Sequence, residues 1–307
     1  MKVSLYKLVV LTLLAVLVVA PAFSVLAQDC PSTLSAEDCA LVAAASKNVD
    51  KLKSFAMDFA VEAAAKGLGT SGFTLSAKGS GGVDLSKVDA GSDDIAEVLE
   101  KIALRVIMDA SLTGDDAQAG EIEIRIVDGQ IYTKSPGDDE WEVQSVSEFL
   151  EESEFNLELG LNLSDVLGFS ESAGMEMLGA QYTATDGPTI DGVKTRAIKA
   201  SLDLKPFFES LAMPSIPGLP MDVPNMPETG NFLSNLAKAF KKVLLSATNY
   251  YGVDGTLRGF KLEAAVEADG SALAALTGLS GNIELILTID VRLSKLGEPY
   301  KVEVPTN

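Results

Sequence analysis

The chain has 307 residues, of which 44 are acidic, 24 are basic and none is histidine. A formal net charge of −20 without a basic run argues against a nucleic-acid partner and against electrostatic docking to anionic lipid headgroups. The missing histidine excludes Ser-His-Asp and Cys-His catalytic sites and histidine-ligated zinc. We therefore predict a non-enzymatic protein without cofactor, catalytic residues or bound metal.

Residues 1–27 have the pattern of a secretory signal peptide. Two lysines precede an apolar run over 8–20, which is too short for a comfortable membrane span. Small residues at Val25 and Ala27 favour cleavage after Ala27, while cleavage in the 20–22 segment and retention as an anchor are the alternatives. The protein is thus predicted to be extracytoplasmic, either secreted or in the cell envelope.

The two cysteines, Cys30 and Cys39, follow the predicted cleavage point closely. An even pair in an exported chain predicts a disulfide, which would stabilise the protein by about 2–3 kcal/mol at most. A reactive redox pair is the alternative, although the spacing is not that of a CxxC motif. Gln28 and Asp29 stand where a lipobox needs small residues, so we expect no lipidation of Cys30.

Sequence periodicity predicts a chain dominated by strands, with a helix near its mature N-terminus. Ser35 and Asp38 form a capping-box pattern, which predicts a helix that continues from Ala40 to Lys53. Alternating apolar residues predict strands over most of the remaining chain. The clearest of these lie at 55–64, 73–77, 102–110, 122–126, 257–268, 283–293 and 300–304. Glycines at 79–82 predict a bulge in one of them.

Helical patterns are fewer than strand patterns. A short helix is predicted within 93–101, a helix-prone block follows over 146–177, one helical turn begins at Pro206, and an amphipathic helix covers 231–243. No shift in composition suggests a boundary between domains. We therefore predict a single domain over 28–307.

Three Asp-Gly pairs lie between strand-like runs, at Asp128-Gly129, Asp191-Gly192 and Asp254-Gly255. Asp-Gly readily adopts the positive φ angles of two-residue hairpin turns, so each pair predicts a hairpin. Such strands imply a large, mostly antiparallel sheet with one apolar face that other elements cover.

The segment Met213–Pro227 contains five prolines interleaved with apolar residues. Proline excludes a helix or a central strand there, whereas methionine adapts to irregular apolar partners. The segment therefore allows two hypotheses, a lid over an apolar cavity or an irregular loop that packs on the core.

The run from Asp128 to Trp141, D-G-Q-I-Y-T-K-S-P-G-D-D-E-W, resembles the "DG-x-x-Y-x-K-x-x-G…W" hairpin of the LppX/LprG-type lipid-binding lipoproteins and the wider LolA-like group. The K-L-K-S-F-A-M-D-F segment at 51–59 and the terminal G-E-P-Y-K-V-E-V-P segment at 297–305 agree with it. The resemblance implies an α+β fold, a curved antiparallel half-barrel with a few helices covering its concave face. The missing lipobox departs from that group.

Within such a fold, an apolar cavity carries lipids or lipoproteins across the envelope. The candidate ligand-binding residues are Phe55, Met57, Phe59, Val61, Met108, Met213, Ile216, Leu219, Met221, Met226, Phe232 and Leu236. Tyr132 and Trp141 are predicted to pack across strands rather than against ligand.

We predict an exported, non-enzymatic carrier or binder of a lipid or other apolar small molecule. A protein-interaction or sensor module of the same fold is the alternative, and an enzyme that acts through carboxylates is the third hypothesis. Peripheral contact with a membrane and an envelope protein partner are compatible with the first hypothesis.

Overall fold

The computed structural model describes residues 30–67, 72–88, 95–114, 117–152, 179–206, 209, 239–271 and 281–306. These residues include three α-helices, α1 (Ala36–Lys47), α2 (Ile95–Lys101) and α3 (Val146–Glu152), and a 3₁₀ helix at Val49–Lys53. The leader at 1–27, the Met213–Pro227 segment, and the greater part of the block predicted over 146–177 lie outside the described residues.

Eleven strands among the described residues form one antiparallel sheet. They are β1 (Ser54–Lys66), β2 (Phe73–Asp84), β3 (Ala103–Thr113), β4 (Gln118–Val127), β5 (Gln130–Lys134), β6 (Glu142–Ser145), β7 (Gln181–Ile190), β8 (Val193–Asp203), β9 (Phe240–Gly252), β10 (Leu257–Asp269) and β11 (Asn282–Ser294). The order across the sheet is β6-β5-β4-β3-β2-β1-β11-β10-β9-β8-β7. Two meanders are thus joined where β1 pairs with β11, and the sheet is open. The strand patterns predicted its antiparallel pairing.

One face of this sheet carries the main hydrophobic core, because side chains alternate between faces along each strand. Phe59 of β1 lies beside Val291 of β11 on this face, which we call the core face. Leu99 of α2 and Phe149 of α3 pack against the same cluster. Its most deeply buried members are Val83, Leu104, Val106, Met108, Ile122, Ile124, Ile126 and Val146.

Helix α1 packs on the same face of the sheet at its other end. The Ser35 hydroxyl caps it by accepting a hydrogen bond from the Asp38 backbone N–H at 3.1 Å, as predicted. Val42 packs with Ile198 and Tyr251 in a second apolar cluster. The α-helix ends at Lys47 rather than at Lys53, and the chain continues as the 3₁₀ helix into β1.

Two of the three Asp-Gly pairs form the predicted two-residue turns. Asp128 and Asp191 have φ angles of 52° and 50°, and each is followed by a glycine at positive φ. The third pair also lies in a hairpin, between β9 and β10, but not in a two-residue turn. Four residues separate β9 from β10, and the Asp254 carboxylate accepts hydrogen bonds from the Thr256 N–H at 3.2 Å and hydroxyl at 2.6 Å.

The predicted bulge at Gly79–Gly82 is wrong, because β2 keeps a continuous register with both of its neighbours. These glycines make room for side chains from other elements. A Cβ at Gly79 would lie 2.7 Å from the Phe59 ring, and one at Gly82 would overlap the Tyr300 ring.

Two further elements differ from their predicted form. Phe240–Val243 begin β9 instead of ending a helix, because pairing with β10 satisfies their backbone, and the Val243 carbonyl accepts a hydrogen bond from the Leu204 N–H at 2.9 Å. The segment 300–304 is not a strand. It crosses the outside of the sheet, where the Tyr300 N–H donates to the Ser54 hydroxyl and Arg125 donates to the Glu303 carbonyl.

Candidate functional site

Five of the predicted ligand-binding residues lie in the described part of the chain, and the structure brings them together. Phe55, Met57, Phe59, Val61 and Met108 belong to the main core, and each is at most 8% exposed. None of the five lines either cavity described below. Their role in ligand binding stays a prediction. The other seven, Met213, Ile216, Leu219, Met221, Met226, Phe232 and Leu236, lie outside the described residues.

A cavity of about 430 Å³ opens across strands β7–β11. Strand register places most of its lining side chains on the face opposite the core, which we call the outer face. The side chains on this face that line the cavity include Lys199, Ser201, Leu244, Ser246, Glu263, Ala265, Ile286 and Thr288.

An apolar row lies on this face at the mouth of the cavity, and Asp203 of β8 borders it beside Leu244. Leu244 of β9 pairs with Ala265 of β10, which pairs with Ile286 of β11. Leu244 is 39% exposed and Ile286 is 52% exposed. Adjacent apolar side chains left in contact with water favour a partner that covers them.

Two polar rows follow below the apolar row, each two residues further along the strands. The first, the hydroxyl row, consists of Ser201, Ser246, Glu263 and Thr288. The second, the lysine row, consists of Lys199, Thr248, Lys261 and Asp290. Because strands rise about 3.3 Å per residue, the apolar row and the lysine row are about 13 Å apart.

Glu263 is the centre of the charged contacts in the cavity. Lys261 Nζ lies 2.6 Å from Glu263 Oε1, Lys199 Nζ lies 3.5 Å from Oε2, and the Ser246 hydroxyl donates to Oε2 at 3.2 Å. The Lys261 hydrogen bond is the main reason that the pKa of Glu263 falls below its ordinary value. The same bond raises the pKa of Lys261.

Deeper on the outer face, Arg292 connects a carboxylate with an aromatic ring. Its guanidinium contacts Asp290 Oδ2 at 3.4 Å and lies 6.0 Å from the centre of the Tyr250 ring. Burial raises the pKa of Tyr250, and the nearby Asp290 carboxylate adds to the shift. Neither Tyr250 nor Arg292 lines the cavity itself.

Strands β7–β11 curl around the outer face. Residues of β7 approach β11 although three strands separate the two in the sheet. The Asp191 carboxylate, in the turn between β7 and β8, accepts a hydrogen bond from the Lys295 N–H at 3.1 Å. It also lies 3.4 Å from the guanidinium of Arg258, whose second carboxylate partner is Asp254 at 2.7 Å. We call this group the clasp.

A much smaller cavity lies on the core face beneath α1. Its volume is about 30 Å³, and its lining includes the disulfide, Tyr182 and Tyr251. Burial raises the pKa of Tyr251 to about 12. A space of this size is large enough for a water molecule but too small for an organic ligand.

Cys30 and Cys39 form the predicted disulfide, with their Cα atoms 5.7 Å apart. The bond is consistent with an extracellular protein. None of the helices in the described residues combines the length and the apolar character needed to cross a bilayer. Within the same residues, no group of three or more Asp, Glu or Cys side chains is arranged to hold a metal ion.

Trp141 packs across strands, with the Arg125 guanidinium 4.9 Å from the centre of its ring. Arg125 and Arg105 both contact the Glu123 carboxylate, at 2.8 Å each. Tyr132 pairs with Arg125 in the register of β4 and β5. These contacts lie at the β4–β6 end of the sheet, away from the cavity at β7–β11, and form no part of it.

The sequence predictions missed the cavity residues, although a signal for them was present. Leu244-Leu245 and Leu285-Ile286-Leu287 are consecutive apolar residues within strands. Such runs place an apolar side chain on both faces. Which of these residues share a row depends on the register between the strands.

No family model matches the chain, and no curated protein matches it. Among solved structures, the chain is similar to a β-barrel-like protein of the domain of unknown function DUF1849 from Brucella abortus. The two share 9% sequence identity, the match covers 79% of this chain and 99% of that one, and the TM-score is 0.16.

Proposed function

We propose that this protein is an exported, non-enzymatic binder or carrier of a lipid-like ligand, and that the ligand occupies the cavity on the outer face of β7–β11. The observation that carries the proposal is the exposed apolar row, Leu244, Ala265 and Ile286, at the mouth of a cavity with a polar floor. Ligand sites typically combine apolar walls with a few polar groups that fix orientation.

The proposal extends to location and overall shape. The disulfide supports an extracytoplasmic site of action, and we propose that residues 1–27 direct export and are removed. We also propose that the open antiparallel sheet is a curved half-barrel of the LolA/LppX-like kind, with α2 and α3 on its concave face. Helix α1 lies on the core face, opposite the face that β7–β11 enclose. Removal of the exposed apolar side chains from water would supply the binding free energy, at about 25 cal/mol per Å² of apolar area buried.

Binding of amphiphiles to the purified protein tests this function. The protein from its native host is analysed by native mass spectrometry and solvent extraction, and the delipidated protein is titrated with soluble amphiphiles by calorimetry. We expect a co-purifying or added amphiphile to bind with one-to-one stoichiometry. The Ile286→Asn variant should bind about 10-fold more weakly, because a polar side chain then interrupts the apolar row.

Val253→Asn is the matched control. Val253 is a β-branched residue with 67% exposure, in the connection between β9 and β10 and outside the cavity lining. Equal affinity of wild-type and Ile286→Asn protein, or no binding of any amphiphile, would refute the proposed site. A protein partner captured from intact cells, unaffected by delipidation, would instead support the alternative of an interaction or sensor module.

A further inference from the structure

Lys199 lines the cavity, and its positive charge is less closely paired with a carboxylate than that of Lys261. Among the described residues, its ammonium group has one ion-pair partner, Glu263 at 3.5 Å, which is long for a charged hydrogen bond. Its side chain is 42% exposed and lines the cavity. An ammonium group has three donors, so Lys199 keeps most of its hydrogen-bonding capacity for another acceptor.

Glu263 does not need Lys199 for its own neutralisation. Lys261 holds Glu263 Oε1 at 2.6 Å, and the Ser246 hydroxyl holds Oε2 at 3.2 Å. The pKa of Glu263 is lowered mainly through Lys261. The pair formed by Lys261 and Glu263 is thus balanced in charge, and Lys199 adds one positive charge beside it.

The acidic group nearest the mouth is too distant to neutralise Lys199. Asp203 follows Lys199 by four residues on the same face of β8, or about 13 Å along the strand. Its carboxylate accepts a hydrogen bond from the Lys205 N–H. The hydroxyl groups of Ser201 and Thr288 lie between the lysine row and the mouth, where they add neutral donors.

We propose that the ligand is a single-chain amphiphile with an anionic head, a carboxylate or a phosphate, which binds at Lys199 while the chain lies on the apolar row. This proposal rests on the proposed function. The backbones of the lysine row and the apolar row are about 13 Å apart along the strands, and an extended chain can span this distance. A volume of about 430 Å³ lies near the lower end for ligand pockets and suits one chain rather than several.

Calorimetric titration with amphiphiles that differ in the head group tests the proposal. The probes are decanoate, decyl phosphate, the neutral monodecanoylglycerol and the cationic decyltrimethylammonium, each below its micelle-forming concentration. We expect at least one of the two anions to bind 10-fold or more tightly than the neutral and cationic probes. Comparison of decanoate with decyl phosphate distinguishes a fatty acid from a phosphate-bearing lipid.

Three variants connect the preference to the charges. Lys199→Met keeps the aliphatic stem and should weaken anion binding about 10-fold without affecting the neutral probe. Glu263→Gln removes the competing carboxylate and should tighten anion binding several-fold. Lys242→Met is the control, since Lys242 is 41% exposed, lies 3.5 Å from Glu267 and does not line the cavity.

The outcomes separate this proposal from the proposed function. If every probe binds equally and Lys199→Met changes nothing, the anionic head is refuted while a lipid-like ligand is retained. Weaker anion binding in Glu263→Gln would also refute it, because the carboxylate would then support the site. If no probe binds at all, both proposals fail.

Discussion

Individual side chains in this sheet take their role from the face on which they lie. Met108 of β3 is 1% exposed and packs in the main core. Arg105, three residues earlier, lies on the outer face and contacts Glu123 at 2.8 Å. The same strand therefore contributes apolar contacts to one side and charge pairs to the other.

Met108→Ala tests whether the predicted ligand-binding residues of the core are structural. The substitution leaves a cavity among fully buried neighbours, so we expect the free energy of unfolding to fall by about 2–5 kcal/mol. Urea denaturation measures this change, and amphiphile affinity should stay within twofold of wild type. A small loss of stability together with lost ligand binding would instead identify Met108 as a ligand contact.

Gly82 and Tyr300 form a second residue-scale pair. A Cβ at position 82 would overlap the Tyr300 ring, so Gly82→Ala should displace the C-terminal segment and lower stability by about 1–3 kcal/mol. The Gly82→Ala/Tyr300→Ala double variant should be less affected by the added methyl group than the single variant. Additive effects in a double-mutant cycle of unfolding free energies would contradict this contact.

Among the elements, α1 depends on one buried carboxylate for its attachment to the sheet. Asp38 Oδ1 lies 2.7 Å from Arg196 Nε of β8, and Ser35 donates to Oδ2 at 2.7 Å. Hydrogen bonding from Arg196 is the main reason that the pKa of Asp38 lies below its ordinary value. The cap of the helix and its contact with the sheet therefore share one side chain.

The attachment of α1 should weaken in acid. A carboxyl group with a lowered pKa in the folded state stabilises the protein above its unfolded pKa of about 3.9, and this contribution is lost as the pH falls through the folded pKa. Asp38→Asn should lower stability at pH 7 by about 1–3 kcal/mol. It should also reduce the loss of stability between about pH 5 and 3.

Urea midpoints at pH 7, 5, 4 and 3 measure both effects. Asp186→Asn is the matched control, because Asp186 contacts the same arginine at 3.0 Å but its side chain is fully exposed. The control should behave like wild type at every pH. An unchanged pH dependence in Asp38→Asn would contradict the assigned role.

In the whole molecule, the clasp connects the two ends of the curl formed by β7–β11. Asp191 at the tip of the turn between β7 and β8 reaches both Lys295 and Arg258. Arg258 is 8% exposed, so the Asp191 and Asp254 carboxylates compensate a nearly buried positive charge. The cavity lies on the face that this curl encloses.

Asp191→Asn should loosen the clasp without breaking the turn, because asparagine also tolerates positive φ. We expect faster hydrogen exchange at the Lys295 amide and about 3-fold to 10-fold weaker amphiphile binding. Asp128→Asn is the control, since Asp128 occupies the same kind of turn and its contact with Lys87 is exposed. Equal exchange at Lys295 in all three proteins would show that the clasp does not hold the curl.

Most of the strands, the cap of α1, the disulfide and two of the three Asp-Gly turns could be predicted from the sequence. Each depends on residues close together in the chain, such as Ser35 with Asp38 or Asp191 with Gly192. Alternation along strands also indicated the antiparallel sheet and the apolar face. Local chemistry was sufficient because these features need no knowledge of distant partners.

The strand at 240–243, the path of 300–304 and the position of the cavity depend on contacts between distant parts of the chain. Phe240–Val243 have helical periodicity but gain backbone partners from β10 and from Leu204. Leu244, Ala265 and Ile286 form one row only because of the register between three strands, which a shift of one residue would abolish. The apolar face of each strand follows from alternation along the chain, so it could be predicted from the sequence. The outer-face cavity depends on the pairing of distant segments, so it could not.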